Sequence, residues 1–286
     1  MRRREAIGAL TGVCLASRNA LGFQTPGPAV SGHFKQGVTA GVFDPKLSFE
    51  EKCRLAAELG CKGFDLVQPK DWPVLKKYGL IPSMSPQNAG VTIPDGLNRK
   101  ENHDRIEATM RPAIDQCAAG GCPNLITFSG NRRGMSDEEG ADNCVAFLNR
   151  VKAQAEDKGV TICLELLNSK VNHKDYMCDH SRWGVDVVKR VNSPRVKLLF
   201  DIYHMQIMEG DICRTIRDNT QWIAHFHTGG VPGRHEIDGT QELNYTFVAK
   251  VLAELGYTGF VSHEYTPAPG RDMKDSLKQA IAIMTV

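Results

Sequence analysis

Four acid–base side chains stand at the ends of apolar runs in the second half of the chain. Glu165 follows Val160-Thr-Ile-Cys-Leu, Asp201 follows Val196-Lys-Leu-Leu-Phe, His227 follows Trp222-Ile-Ala-His-Phe, and Glu264 follows Gly259-Phe-Val-Ser-His. Each run reads as a strand buried on both faces, and helix-like segments separate the runs. Polar residues at successive strand ends of such a chain gather at one mouth of a barrel. Three carboxylates and one imidazole make an oxygen-rich ligand set, which favours Mg²⁺ or Mn²⁺, admits Co²⁺ and suits Zn²⁺ less well. A divalent ion there would chelate adjacent carbonyl and hydroxyl oxygens of a small polyol, hydroxy-ketone or aldehyde. It would stabilise the enediolate formed when a C–H proton leaves. Glu165 and Glu264, on opposite flanks of the cluster, are the expected acid/base pair: one removes the proton and the other returns it at the neighbouring carbon.

Further side chains could serve the substrate. His225 lies two residues before His227 and so faces the same way; it is either a substrate group or a satisfied core histidine. His204 follows Asp201 by three residues. Arg234 sits in the Gly-rich loop Gly229-Gly-Val-Pro-Gly-Arg-His-Glu236 and could clamp a carboxylate through two hydrogen bonds. Arg132 and Arg133 are secondary candidates for the same task, and His173 follows them. Cys163 shares the facing of Glu165 but lies deeper, so it reads as packing. Neither a nucleophile elbow nor a phosphate-cradling Walker loop is present.

The elements that must position these groups repeat as strand then helix. Expected strands cover residues 34–42, 62–67, 80–84, 124–129, 160–166, 196–201, 222–227 and 258–264. Helices are expected at 49–59, 71–78, 99–119, from a Ser136 cap to 158, at 180–191, in broken form over 203–218, at 245–255 and at 272–284. Ser48 with Glu51 forms a capping box, and Gly60, Gly159 and Gly256 mark helix ends. Residues 85–98, rich in Pro, Gly and Asn, read as a long loop. Eight strand–helix units fill residues 33–286 and predict one α/β domain, a single (β/α)8 TIM barrel. An open doubly wound sheet is the rival, but no GxGxxG opens the first helix.

The 286 residues carry 35 Lys+Arg against 33 Asp+Glu, a formal charge of +2, and no basic stripe interleaved with aromatics, so nucleic acid is not an expected partner. Nine cysteines without a CxxC pair read as reduced, buried thiols. Residues 1–32 differ from the rest. Arg2, Arg3 and Arg4 precede a short apolar stretch at 6–16 and a Pro/Gly-rich linker, the pattern of a twin-arginine-like export signal leading to the periplasm. A basic tail on a cytoplasmic enzyme is the alternative. That apolar stretch is too short to span a bilayer. Expected partners are a small-molecule hydroxy-oxo acid or ketose and, for a homo-oligomer, further copies of the chain.

Several stretches resemble the xylose isomerase-like barrel superfamily. They are Phe200-Asp-Ile-Tyr-His-Met-Gln206, Gly230-Val-Pro-Gly-Arg-His-Glu236 followed by Glu242-Leu-Asn-Tyr245, and His263-Glu-Tyr265. Within that superfamily they are most similar to the hydroxypyruvate isomerases, across nearly all of the chain after residue 32. The resemblance implies metal ligands at Glu165, Asp201, His227 and Glu264, with the two glutamates as acid/base pair. It implies an isomerase interconverting hydroxypyruvate and tartronate semialdehyde, or a similar hydroxy-oxo acid. The sequence departs at His227, where those isomerases typically carry glutamine. Histidine there is usual in the ketose 3-epimerases of the same superfamily, which also place a substrate-contacting histidine at the position of His204 and an arginine near Arg234. A ketose 3-epimerase is therefore the alternative activity; a dehydratase or a non-catalytic carbohydrate-binding barrel stands further off.

Overall fold

The computed structural model describes residues 34–86 and 90–286. The export signal expected at 1–32, and residues 87–89 of the expected long loop, lie outside the described residues.

Eight parallel strands appear among the described residues: β1 (Lys35–Val38), β2 (Gly63–Asp65), β3 (Ile81–Met84), β4 (Asn124–Thr127), β5 (Thr161–Leu166), β6 (Val196–Asp201), β7 (Ile223–Thr228) and β8 (Phe260–His263). Their order is β3-β2-β1-β8-β7-β6-β5-β4. The ends of this sheet meet through a parallel bridge beside β3, where Ser85 pairs with Leu125 of β4, so the ring is nearly closed. All eight strands are shorter than ten residues, and all but β1, whose first two residues reach the surface, are almost wholly buried; β5 has every residue buried, as a strand covered on both faces requires. The expected TIM barrel is therefore observed.

The helices form the outer layer: α1 (Phe49–Leu59), α2 (Trp72–Lys77), α3 (His103–Gly120), α4 (Asp137–Lys158), α5 (Ser181–Val191), α6 (Ile202–Met208), α7 (Ile212–Asn219), α8 (Tyr245–Glu254) and α9 (Met273–Met284). The Ser48–Glu51 capping box opens α1 and Gly60, in the left-handed conformation, ends it. Ser136 caps α4 and left-handed Gly159 stops it. The broken segment after β6 resolves into α6 and α7, parted by Gly210 and Asp211, both at positive φ. Residues 34–42 do not form one long strand: β1 ends at Val38 and a short 3-10 turn, Ala40–Val42, follows. Likewise β2 is only Gly63–Asp65, because the register with β3 slips between Phe64 and Asp65 and Leu66 turns at φ 60°.

Two apolar zones result. One, between strands and helices, holds most of the core, including Phe64, Leu164, Phe200, Phe226 and Val261. The other fills the barrel interior with Met84, Ile126, Cys163 and Leu199. Interior space is tight on the β1–β2 side. A Cβ at Gly37 would stand 2.3 Å from Ser262 Oγ, and one at Gly63 2.4 Å from Ser83 Oγ. The eight described cysteines are free thiols, seven of them buried. Among the described residues no helix is long and apolar enough to cross a membrane.

Candidate active site

Strand register brings the polar strand ends together. Asp201 on β6 pairs directly with His227 on β7, Glu165 lies one strand away on β5, and Glu264 follows β8 by one residue. One ligand atom from each of the four lies within 4.8 Å of the others. Asp201 and His227 are fully enclosed, whereas the Glu264 side chain keeps 24% of its surface exposed, so the site opens at that edge. His227 Nδ1 is 2.6 Å from Glu264 Oε2, 3.7 Å from Glu165 Oε1 and 3.8 Å from Asp201 Oδ2. None of these contacts has hydrogen-bond geometry, so Nδ1 is a buried nitrogen without a hydrogen-bond partner. Such an orphan normally signals a missing partner. An orphaned imidazole nitrogen facing three carboxylates is a donor set that fits a hard divalent cation.

Asp201 has two jobs, which its two oxygens divide. Oδ1 caps α6 by accepting the backbone N–H of His204 at 3.1 Å, and Oδ2 faces the site. The cap therefore fixes the carboxylate that a cation would use. Arg234 reaches in from the loop after β7. Its backbone sits at φ 57°, a left-handed conformation uncommon outside glycine, and its N–H donates to Gly230 O at 2.8 Å. This tight loop directs the guanidinium inward, where Nη2 donates to Asp201 Oδ2 at 2.6 Å and to Glu264 Oε2 at 2.7 Å. The guanidinium also lies 5.0 Å from the Tyr203 ring centroid.

His204 is fully buried beside it. Its Nδ1 accepts the Asn168 backbone N–H at 3.1 Å, which places the proton of the neutral ring on Nε2. That Nε2 is 3.0 Å from Arg234 Nη1, so two donors face each other. Burial, then the nearby Arg234 charge, holds His204 well below the usual histidine range and keeps it neutral. The His173 ring lies tilted against His204, 5.2 Å between ring centroids.

The two glutamates differ in state. Burial raises Glu165 to about 7, with Glu264 and Asp201 adding to the shift against the pull of His227. Burial also works to raise Glu264, but His227 and then Arg234 overcome it and hold Glu264 below the ordinary carboxylate range. Burial works to lower His227, but Glu264, then Asp65 and Glu165, hold it well above the usual histidine value.

Other candidates from the sequence lie elsewhere. His225 has no exposed surface; it sits beneath His227, with Nε2 2.6 Å from Asp65 Oδ2. Arg132 is engaged by Asp179 through both terminal nitrogens, at 3.1 and 2.9 Å, and by Asp137. Arg133 pairs with Asp95 at 2.8 Å, half exposed. Cys163 is enclosed in the barrel, where burial pushes its thiol far above the usual range. Asp65 was not singled out by the sequence, yet it lies under the site and accepts from His227 Nε2 at 2.9 Å. The available signal was a carboxylate inside the apolar run Gly63-Phe-Asp-Leu-Val67.

Comparison with known proteins agrees with this architecture. A 2-oxo-tetronate isomerase of Haemophilus influenzae is 28% identical over 238 residues, 78% of this chain and 89% of that protein. A Danio rerio protein named "Putative hydroxypyruvate isomerase" is 36% identical over 104 residues, 36% of this chain; the match spans only 38% of the zebrafish protein. Among solved structures, an AP endonuclease, family 2, from Brucella melitensis superposes with a TM-score of 0.78 at 26% identity, covering 87% of this chain and 98% of that one. The family model described as a xylose isomerase-like TIM barrel matches residues 53–285, and the chain belongs to that family.

Proposed function

We propose that the chain is a metal-dependent isomerase of small hydroxy-oxo acids, of the hydroxypyruvate or 2-oxo-tetronate kind, working through an enediolate. Isomerase activity on this fold is what the names of the relatives support. The observation that carries the mechanism is the placing of two glutamates around one enclosed histidine: Glu165 Oε1 lies 3.7 Å and Glu264 Oε2 2.6 Å from His227 Nδ1, with Asp201 Oδ2 at 3.8 Å. Two carboxylates brought to one site from separate strand ends can divide acid and base roles.

Glu165, Asp201, His227 and Glu264 would hold the divalent cation, whose positive charge would stabilise an enediolate. Ionised Glu264 takes the proton from the hydroxyl-bearing carbon. The C–H electron pair becomes the enediolate double bond. Glu165 delivers a proton to the neighbouring carbon, and the hydroxyl proton passes to the former carbonyl oxygen. Carbonyl and hydroxyl thus exchange places without net oxidation. Both glutamates regain their starting state by exchange with water. The facing donors His204 Nε2–H and Arg234 Nη1, 3.0 Å apart, can both donate to one substrate oxygen seated beside them. Arg234 gives a carboxylate substrate a charged anchor.

A ketose 3-epimerase is the second reading, favoured by His227 standing where hydroxypyruvate isomerases typically have glutamine. Turnover in D₂O with Mn²⁺ separates the two. Deuterium at the carbon beside the carbonyl of hydroxypyruvate, with tartronate semialdehyde formed and activity lost to EDTA, supports the isomerase. Exchange confined to C3 of a neutral ketose transfers the assignment to the epimerase. No exchange with either class refutes both. The proposal includes an exported enzyme, resting on the Arg2-Arg3-Arg4 start and the apolar stretch after it. A reporter fused to residues 1–40 that stays cytoplasmic would refute that part.

A further inference from the structure

Beneath the four-residue cluster, and sharing His227 with it, lies a second polar group whose Asp65 and His225 the mechanism leaves unused. Asp65, His225 and His227 are all fully enclosed. Asp65 Oδ2 lies 2.6 Å from His225 Nε2 and 2.9 Å from His227 Nε2, while Oδ1 accepts the Ser83 hydroxyl. Three donors therefore saturate one carboxylate. His225 is held in turn, its ring stacked against Phe260 and its Nδ1 3.5 Å from the Asn124 amide nitrogen. The backbone is irregular at this place: the β2–β3 register slips between Phe64 and Asp65. Bulges of this kind re-aim a side chain, and here the side chain points across the barrel to β7.

A histidine that binds a cation through one ring nitrogen must carry its proton on the other. His227 turns Nδ1 to Glu165, Asp201 and Glu264 and Nε2 to Asp65. We propose that Asp65 is a positioning residue, which fixes the His227 ring and its Nε2–H tautomer so that Nδ1 is presented to the cation. Partners of this kind govern metal affinity by 10–100-fold in characterised sites. The inference rests on the metal reading given above. Asp65 reaches no solvent, so it takes no part in proton transfer to substrate. The three groups also come within 4.8 Å as a possible ion site of their own. Their hydrogen-bond distances and full enclosure favour a network over a cage.

The test is Mn²⁺ titration of the full chain, with free Mn²⁺ read by EPR, for wild type, Asp65→Asn and Ser83→Ala. Asparagine keeps the shape but, with one side still facing Ser83, offers N–H to His225 and His227 in place of an acceptor. One Mn²⁺ per wild-type chain, 10–100-fold weaker binding in Asp65→Asn and a change under about threefold in Ser83→Ala support the proposal. Ser83→Ala removes a donor to the same carboxylate without touching His227, so it controls for mere loss of packing. Unchanged affinity in folded Asp65→Asn, or equal losses in both variants, overturns the proposal. So do two ions in wild type with one lost in Asp65→Asn. Should Asp65→Asn fail to fold, long-range ¹⁵N–¹H NMR of the Mg²⁺-loaded wild type decides. An Nε2–H tautomer at His227 supports the proposal, and Nδ1–H overturns it. A wild type that binds no Mn²⁺ refutes the metal site itself, a different outcome from the failure of Asp65.

Discussion

Replacing Arg234 with alanine separates a carboxylate substrate from a neutral sugar. The guanidinium lies at the site mouth with 25% of its side chain exposed, and two of its nitrogens face the space between His204, Asp201 and Glu264. Two hydrogen bonds to a substrate carboxylate, each at the lower end of the charge-assisted range because of that exposure, amount to about 3 kcal/mol. That corresponds to a fall of roughly 150-fold in kcat/KM for hydroxypyruvate. A neutral ketose offers an uncharged acceptor worth about 1 kcal/mol, hence a loss of roughly fivefold. The assay is steady-state kinetics of both substrate classes at saturating Mn²⁺, with Arg234→Lys as a companion that restores charge but not the planar fork. Mn²⁺ affinity supplies an internal control. Arg234 shares Asp201 Oδ2 and Glu264 Oε2 with the proposed cation, so its removal leaves metal binding equal or tighter. Equal losses for the two substrates would refute the carboxylate anchor. A parallel drop in Mn²⁺ affinity would show that Arg234 acts by arranging the carboxylates instead.

Glu165→Gln keeps the shape of the site and removes one acid/base group; kcat falls by about 10²–10⁴-fold with an unchanged circular dichroism spectrum, and near-normal turnover by the folded variant sinks the assignment. Metal uptake depends on pH with a definite sign. Protonated Glu165 is the weaker ligand, so Mn²⁺ affinity of EDTA-stripped protein rises as pH rises towards 7, with protons released; a flat profile contradicts the ligand role. His263 is enclosed between Thr228 and Gln36, and burial pushes it down to about 4. Its contribution, about 3 kcal/mol, is complete above the unfolded value near 6.5 and is lost as pH falls to about 4. Urea midpoints across that range show the loss, and His263→Gln flattens it; an identical slope in the variant rejects the account. Arg132→Ala leaves Asp179, its side chain only 5% exposed, with Ser169 and His180 as its remaining partners, and costs about 1.5–3 kcal/mol in urea unfolding while leaving KM near wild type. A selective rise in KM would return Arg132 to the substrate.

Much of the barrel and its site was legible because local chemistry wrote it. Apolar runs buried on both faces predict parallel strands, and Ser48, Glu51, Gly60 and Gly159 predict helix ends from their own conformational preferences. Glu165, Asp201, His227 and Glu264 could be grouped because a barrel points every strand's C-terminal end to one mouth. Arg234 could be named because a Gly-rich loop after a strand belongs to that mouth.

What only the tertiary structure decided depends on side chains meeting across the ring. Asp65 and His227 are 162 positions apart, and no local pattern pairs them. The register slip after Phe64 turns Asp65 across the barrel, where it takes up His225, a residue whose alternation with His227 left substrate and core roles both open. Arg132 looked like a free cation until Asp179, 47 residues on, closed over it. The division of Glu165 from Glu264 is of the same kind. Two identical side chains at two strand ends acquire different proton affinities from their neighbours: Glu165 lies deeper among carboxylates, and Glu264 lies against His227 and Arg234. Residue types and strand spacing determine that a metal-type cluster can form; the packed field around it decides which carboxylate holds the proton.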